Sequence, residues 1–245
     1  MPGPVRSLGL LLQWQARRYR STLILIVFIQ VALGLGIVYG LSFLIPRIDP
    51  ASALFLSTGA PTIALLLLGL TVVPQEVAQD KLTGAYEYVA SLPVPRLASL
   101  AAGLTFWLGA QLPGTILALV AASARFHFDL SITAYSIPAF LLVALTGAAV
   151  GYAMASVLRP EITSMATSFI SVGLLLFSPI DFPVARLPEF LQVIHQILPV
   201  KHMADLVRWS LTGRYVAHPG LAFLVVGLWC AVCLGLSYRM AVRRR

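Results

Sequence analysis

Charged residues divide this chain into six uncharged, strongly apolar stretches: residues 21–46, 50–75, 97–124, 130–158, 162–180 and 215–238. A helix rises 1.5 Å per residue, so about 20 residues cross the ~30 Å of bilayer hydrocarbon. Each stretch meets or nearly meets that length, and the longer ones allow tilt or interfacial ends. None alternates polar with apolar positions, as the wall of a membrane barrel must. The pattern predicts an all-α integral membrane protein, a single domain over 1–245 with six transmembrane helices.

The segments between the spans carry their own patterns. Residues 5–20 place Leu8, Leu11, Leu12 and Tyr19 on one helical face, with Trp14 and the arginines beside it. That arrangement suits an N-terminal interfacial helix, and an ordinary polar lead-in is the alternative. Segment 181–214 contains Phe190, Leu191, Val193, Ile194, Ile197 and Leu198, too apolar for a free loop. Irregular backbone at membrane depth must be buried in protein or line a cavity, so these side chains of 181–214 are expected to be buried in lipid or protein. Small residues recur every fourth position at Ala32, Gly36 and Gly40, at Gly147, Gly151 and Ala155, and at Gly227, Ala231 and Gly235. Such stripes allow close helix packing, within one chain by default or between two copies.

Composition agrees with lipid as the solvent. The chain is 59% hydrophobic and 11% charged, against roughly a quarter charged in soluble domains. Its formal net charge of +8 comes from seventeen basic and nine acidic residues. Eleven of the seventeen fall on the side that holds both termini, which predicts cytoplasmic termini in the cell membrane. Orientation thus accounts for the basic excess, and membrane lipids rather than nucleic acid are the expected surroundings. Residues 21–46 are about twice the length of a signal-peptide core, so they are expected to be retained as a span despite the Ala51-Ser52-Ala53 sequence beyond them. Cys230 and Cys233 have redox-like spacing, but inside an apolar span they are expected to be small packing residues.

The loop over 75–96 breaks the basic rule of its side. Ala78, Leu82, Ala85, Tyr86 and Val89 lie at helical spacing, Glu76, Asp80 and Glu87 lie toward another face, and Pro93 and Pro95 close the segment. A helix is therefore expected over 76–92, with Gly84 in its middle costing about 1 kcal/mol relative to alanine. Three acids against Lys81 and Arg96 suit docking to a basic cytoplasmic protein, and equally a solvated interfacial helix.

The run Asp80-Lys81-x-x-Gly84-Ala85-Tyr86-Glu87, with Pro93-Val94-Pro95-Arg96 after it, resembles the acid-base-x-x-Gly-Thr-Leu-Glu and Pro-Val-Ser-Arg motif of type V ABC exporter permeases, the ABC-2 membrane domain. A second run resembles that family's segment between spans five and six. It comprises Ser178-Pro-Ile-Asp-Phe182-Pro183, Leu187-Pro188, Leu198-Pro199 and Leu206-Val207-Arg208. The resemblance implies a cytoplasmic coupling helix, with Glu76, Asp80, Lys81, Gly84, Glu87, Pro93 and Arg96 at or near an ATPase contact. It implies that 181–214 is a re-entrant helical segment on the extracytoplasmic side, a gate in which Phe182, Pro183, Pro188, Pro199 and Arg208 take part. Ala85 stands in place of the usual threonine, Pro179 in place of a frequent glycine, and Asp181 in place of a frequent apolar residue.

No G-x-x-x-x-G-K-[ST], H-E-x-x-H or G-x-S-x-G motif occurs in the chain. The expectation is a non-catalytic permease subunit that binds no cofactor, with ATP and Mg held by two copies of a partner ABC ATPase and a second permease copy completing a homodimer. His127, His195, His202 and His218 lack a ligand-spaced cluster, so hydrogen bonding is expected of them rather than metal. Mid-span ionisable residues are missing, which disfavours proton-coupled carriers and ion channels. Gln30 and Gln111 are the conspicuous mid-span polar groups and are expected to bond between helices, with substrate contact the alternative. The implied function is export of an amphipathic, lipid-like, drug-like or glycan substrate. A force-transmitting ABC membrane anchor is the alternative, and an intramembrane lipid-modifying enzyme a weaker one, because the nine acids are dispersed.

Overall fold

The computed structural model describes residues 4–40, 43, 50–126, 134–213, 216 and 218–243. The helices are α1 (Pro4–Arg18), α2 (Arg20–Leu35), α3 (Pro50–Leu67), α4 (Val73–Leu82), α5 (Ala85–Ser91), α6 (Arg96–Phe126), α7 (Ser136–Val157), α8 (Pro160–Phe177), α9 (Glu189–Ile197), α10 (Pro199–Thr212) and α11 (Pro219–Arg243). No strand occurs among the described residues. Among the described residues, six stretches are long and apolar enough to cross a membrane: Arg20–Gly40, Ser52–Leu82, Arg96–Phe126, Ser136–Val157, Pro160–Phe177 and Pro219–Val242. The all-α, six-span architecture is the one the apolar pattern predicts. Residues 41, 42 and 44–46 of the first expected span, 130–133 of the fourth and 215 and 217 of the sixth lie outside the described residues, as does His127.

The second span is the most buried and organises the rest. A widened π turn over Leu68–Val72 joins α3 to α4, so the helix continues to Leu82. Pro74 lacks a backbone N–H and its ring crowds the carbonyl four residues earlier; a wider turn at that point relieves both problems. Gly69 sits in this turn. A Cβ there would lie 2.6 Å from the Gly147 carbonyl carbon and 2.8 Å from its Cα, and one on Gly151 would run into the Gly69 carbonyl oxygen. Spans two and four therefore cross backbone to backbone, where close dispersion contacts hold helices together in lipid.

Helix α10 packs across the end of the bundle against α3, α7 and α11. Its Met203, Leu206, Val207 and Leu211 join Ile63, Leu66, Val143 and Val226 in the main apolar cluster. A second cluster gathers Tyr19, Ile26, Leu68, Val73 and Trp107 at the other end. Here α1 lies along α6, and Tyr19 stands at the break between α1 and α2 with its ring 5.3 Å from that of Trp107. This end is called the α1 face below.

Two expectations are corrected by these positions. The segment over 76–92 is not one helix: residues up to Leu82 complete span two, and Gly84 breaks the chain at φ 74 before α5 begins. Charges failed to mark the end of the span because partners meet Asp80 and Lys81 there, as described below. Gly84 is needed for its left-handed backbone, not for close approach, since nothing lies within 4 Å of a Cβ built on it. The small-residue stripes also divide. Only Gly147, Gly151 and Ala155 are buried or nearly so within the chain, whereas Ala32, Gly36, Ala231 and Gly235 are exposed.

Candidate functional site

At the α1 face, the residues expected to meet an ATPase split into an inward set and an outward set. Asp80 turns inward. Its Oδ1 accepts from Arg18 Nε at 3.1 Å and Nη2 at 2.6 Å, and its Oδ2 accepts from the Tyr19 hydroxyl at 2.5 Å. Arg18 also donates to Thr83 Oγ1 at 3.3 Å. These charge-assisted bonds tie the α1–α2 junction to the end of span two. Burial, then the neighbouring Asp80 carboxylate, pushes the Tyr19 hydroxyl far above the ordinary phenol range, so it stays a proton donor. Lys81 likewise turns inward: its Nζ donates to the Ala155 carbonyl oxygen near the end of α7 and lies 5.8 Å from the Tyr86 ring centroid.

The outward set lies at the turn between α4 and α5. Gly84, Glu87 and Tyr88 are exposed, as is Leu82, while Ala85 is buried and Tyr86 and Val89 are half-buried. Leu82 thus departs from the apolar face drawn by helical spacing, because it is the last residue of the helix. Glu87 makes no ion pair or hydrogen bond among the described residues. Pro93 is exposed, Pro95 precedes the first residue of α6, and Arg96 is half-buried at its start. Glu76 is half-buried on α4.

At the opposite face, Ser178–Pro183 folds against span two. Asp181 keeps some contact with the surface, but its Oδ1 is buried without a hydrogen-bond partner and sits where a Cβ on Gly59 would be. The Arg208 guanidinium, 3% exposed, donates from Nη2 to the Ile180 carbonyl at 2.7 Å and from Nη1 to Asp205 Oδ1 at 3.2 Å. It also lies 4.0 Å from the Phe55 ring centroid, a close cation–π contact. Burial raises the Asp181 carboxyl to about 7, against the opposing pull of Arg208. Burial also lowers Arg208 from its ordinary value and raises Asp205.

The prolines expected in this segment serve as local stops and starts. Pro183 precedes a short 3-10 turn over Val184–Arg186, Pro188 precedes α9, and Pro199 opens α10, where its missing N–H costs nothing. Phe182 is half-buried. His195 and His202 bond to backbone carbonyls, of Phe177 and Gln196, each at 3.0 Å. The apolar face of α9 points away from the bundle, with Phe190, Val193, Ile194 and Ile197 exposed.

Gln30 and Gln111 are both buried, but neither bonds between helices among the described residues. Gln111 donates to Trp107 of its own helix at 3.3 Å, and the Gln30 amide is unpartnered against Gly114. Interhelical polar bonds occur elsewhere: Thr71 and Ser171 share a hydrogen bond of 2.8 Å, and Gln75 donates to Thr167 at 2.9 Å. Sequence reading missed this seam between spans two and five. Its signal is weak, a hydroxyl on every fourth position of α8 from Ser164 to Ser168 and from Thr163 through Thr167 to Ser171.

The comparisons with known proteins cover both faces. The family described as ABC-2 family transporter protein matches residues 49–239. Nodulation protein J of Rhizobium meliloti (strain 1021) is 28% identical over 224 residues, which take in 86% of this chain and 81% of that protein. The family match runs from the start of span two to the last turns of α11 and includes the α4–α5 turn and the α9–α10 segment. This chain belongs to the ABC-2 transporter family, as a multi-pass membrane permease subunit.

Proposed function

We propose that this permease is driven by a separate ABC ATPase that docks at the α4–α5 turn. The observation that carries the reading is the division at the α1 face: Asp80 and Lys81 are partnered within the chain, while Glu87 is exposed and unpaired among the described residues, beside exposed Leu82 and Tyr88. An unpaired acid with two apolar neighbours suits a basic, partly apolar cleft on a partner. The turn hangs directly from span two, so a push on α5 reaches Gly69 and the crossing with span four without an intervening flexible loop.

In this reading two permease copies work with two ATPases, which hold the ATP and Mg. Both termini face the cytoplasm in this reading, which the distribution of basic residues favours. The Ser178–Pro183 segment and α9–α10 form the outer gate, held shut by Arg208 and by Asp181 against Gly59. The apolar outward face of α9 and the lack of mid-span charge favour an amphipathic cargo, lipid-like, drug-like or glycan-bearing. The Glu87→Arg variant is expected to reach the membrane at normal levels, to lose co-purification with the ATPase, and to lose transport in reconstituted vesicles. Normal association and transport by that variant would refute docking at this turn. Vesicles that hydrolyse ATP in complex with the permease yet move no cargo would instead support a force-transmitting anchor.

A further inference from the structure

Between α5 and the bundle, on the α1 face, lies a pocket of about 90 Å³. One ordered water needs ~15 Å³ by the same kind of measure, so the space takes a small polyatomic group. Six elements reach it: α1 with Trp14 and Gln15, α4 with Val77 and Asp80, α5 with Tyr86, α6 with Arg96 and Ser99, α7 with Ser156, and α11 with Ser237. Several of these polar groups have no partner. Ser237 is 2% exposed and its Oγ makes no hydrogen bond. A helical serine ordinarily returns its hydroxyl to the carbonyl four residues back, and Ser237 does not. Gln15 Oε1 is buried and equally unsatisfied. Arg96 has neither an ion pair nor a hydrogen bond among the described residues.

Charge and backbone favour one sign of ligand. Asp80 is in the wall, but Arg18 and Tyr19 take up both of its oxygens. With Asp80 matched by Arg18, the uncompensated charge at the pocket is the single positive charge of Arg96. Helix α6 starts at Arg96, and only from Ala98 onward do its amides bond back, to the Pro95 carbonyl at 3.0 and 3.2 Å. Its first N–H groups and the positive end of a 31-residue helix are therefore at the wall of the pocket. The remaining wall is the phenol of Tyr152 and apolar side chains, among them Val77, Val89 and Leu100. Trp14, on the face of α1, is a residue type that settles at headgroup level.

We infer that this pocket binds a singly charged phosphodiester, the headgroup phosphate of a membrane phospholipid, between Arg96, Ser99, Ser237 and the Gln15 amide. The amide turns its N–H₂ inward to do so, since its two ends are interchangeable by rotation. The bound phosphate bridges α1, α6 and α11 behind α5, and so stiffens the support of the α4–α5 turn.

The test uses the full chain alone, delipidated in detergent, so its result does not depend on docking of an ATPase. Thermal melting is followed while dihexanoyl-phosphatidylglycerol, dihexanoylglycerol or inorganic phosphate is titrated in. The melting temperature is expected to rise with the phosphatidylglycerol at concentrations where the uncharged glyceride does nothing. Ser237→Ala and Arg96→Gln should each move the midpoint of that titration at least tenfold higher. Ser99→Ala serves as a further variant should Arg96→Gln fail to fold. Equal stabilisation by the glyceride, or unchanged midpoints in the variants, would overturn the site. A response to inorganic phosphate as strong as that to the lipid would overturn the assignment to a headgroup.

Discussion

Asp181 is the residue whose chemistry is most at odds with its surroundings. Its Oδ1 occupies the place a Cβ on Gly59 would take and has no donor, and burial holds the carboxyl near 7 where an ordinary aspartate titrates at 3.8. A group that binds its proton more tightly in the folded protein adds stability below its unfolded value. That contribution is lost as pH rises from about 4 through about 7. The loss amounts to about 1.4 kcal/mol per pH unit across that window, reduced by whatever water reaches the second oxygen. His195, lowered by burial, has the opposite sign: its contribution is complete above its ordinary value of 6.5 and is lost in acid. Melting of the wild type and Asp181→Asn in parallel from pH 4.5 to 8.5 separates the two. The difference between them should shrink the wild type's advantage steadily up to about pH 7 and then level off. A difference independent of pH would show that the carboxyl is ionised throughout and that Gly59 is not its confining wall. Sequence reading noticed Asp181 only as a departure from the family pattern. Its burial depends on Gly59, more than a hundred positions away, which no local spacing reveals.

At the scale of helices, the apolar pattern was a sound guide to how many spans exist and a poor one to where they stop. Hydrophobicity over some 20 residues reports transfer into lipid, and that quantity is nearly independent of neighbours. A span's end depends on whether its charges find partners, and in span two the Arg18–Asp80 pair and the Lys81–Ala155 bond let the helix continue. Gly84 carried the true boundary, through its positive φ, yet an isolated glycine in a helical pattern has several readings. Small-residue stripes were ambiguous for a related reason: the same spacing serves a packed seam and an open face. The structure separates them in a way that can be measured. Gly69→Ala and Gly147→Ala add one methyl at the same crossing, but the Gly69 methyl meets backbone at 2.6 Å and the Gly147 methyl has its nearest neighbour at 3.6 Å. Backbone cannot yield as a side-chain tip can, so Gly69→Ala should cost about 1–3 kcal/mol and separate the two spans. Gly147→Ala should be close to neutral. Melting temperature and the yield of folded protein in detergent give the comparison, and equal effects of the two would contradict a backbone contact at Gly69.

For the whole molecule, the legible part of the site was its order along the chain: an acidic turn on one face and an apolar, proline-punctuated segment on the other. What could not be read was which acids face inward. Glu76, Asp80 and Glu87 look alike at helical spacing, and only the fold of α1 onto α6 assigns Arg18 and Tyr19 to Asp80 and leaves Glu87 outside. The same asymmetry of burial bears on where a second copy sits. Spans one and five are the least buried, with Ile24, Phe28, Met165 and Phe169 exposed, and both flank the deeply buried span two. Span two carries the α4–α5 turn, so a copy seated on this side places both turns and both gates about one shared axis. Span one also presents its unpacked stripe of Ala32 and Gly36, with nothing within 4 Å of a Cβ on Gly36. The competing face is α11, with Ala231 and Gly235 equally open. In a background with Cys230 and Cys233 changed to alanine, Gly36→Cys is expected to give a disulfide-linked dimer on mild oxidation in membranes. Ala231→Cys should stay monomeric under the same treatment. Linkage through Ala231→Cys with none through Gly36→Cys would move the axis to α11 and detach the two gates from it.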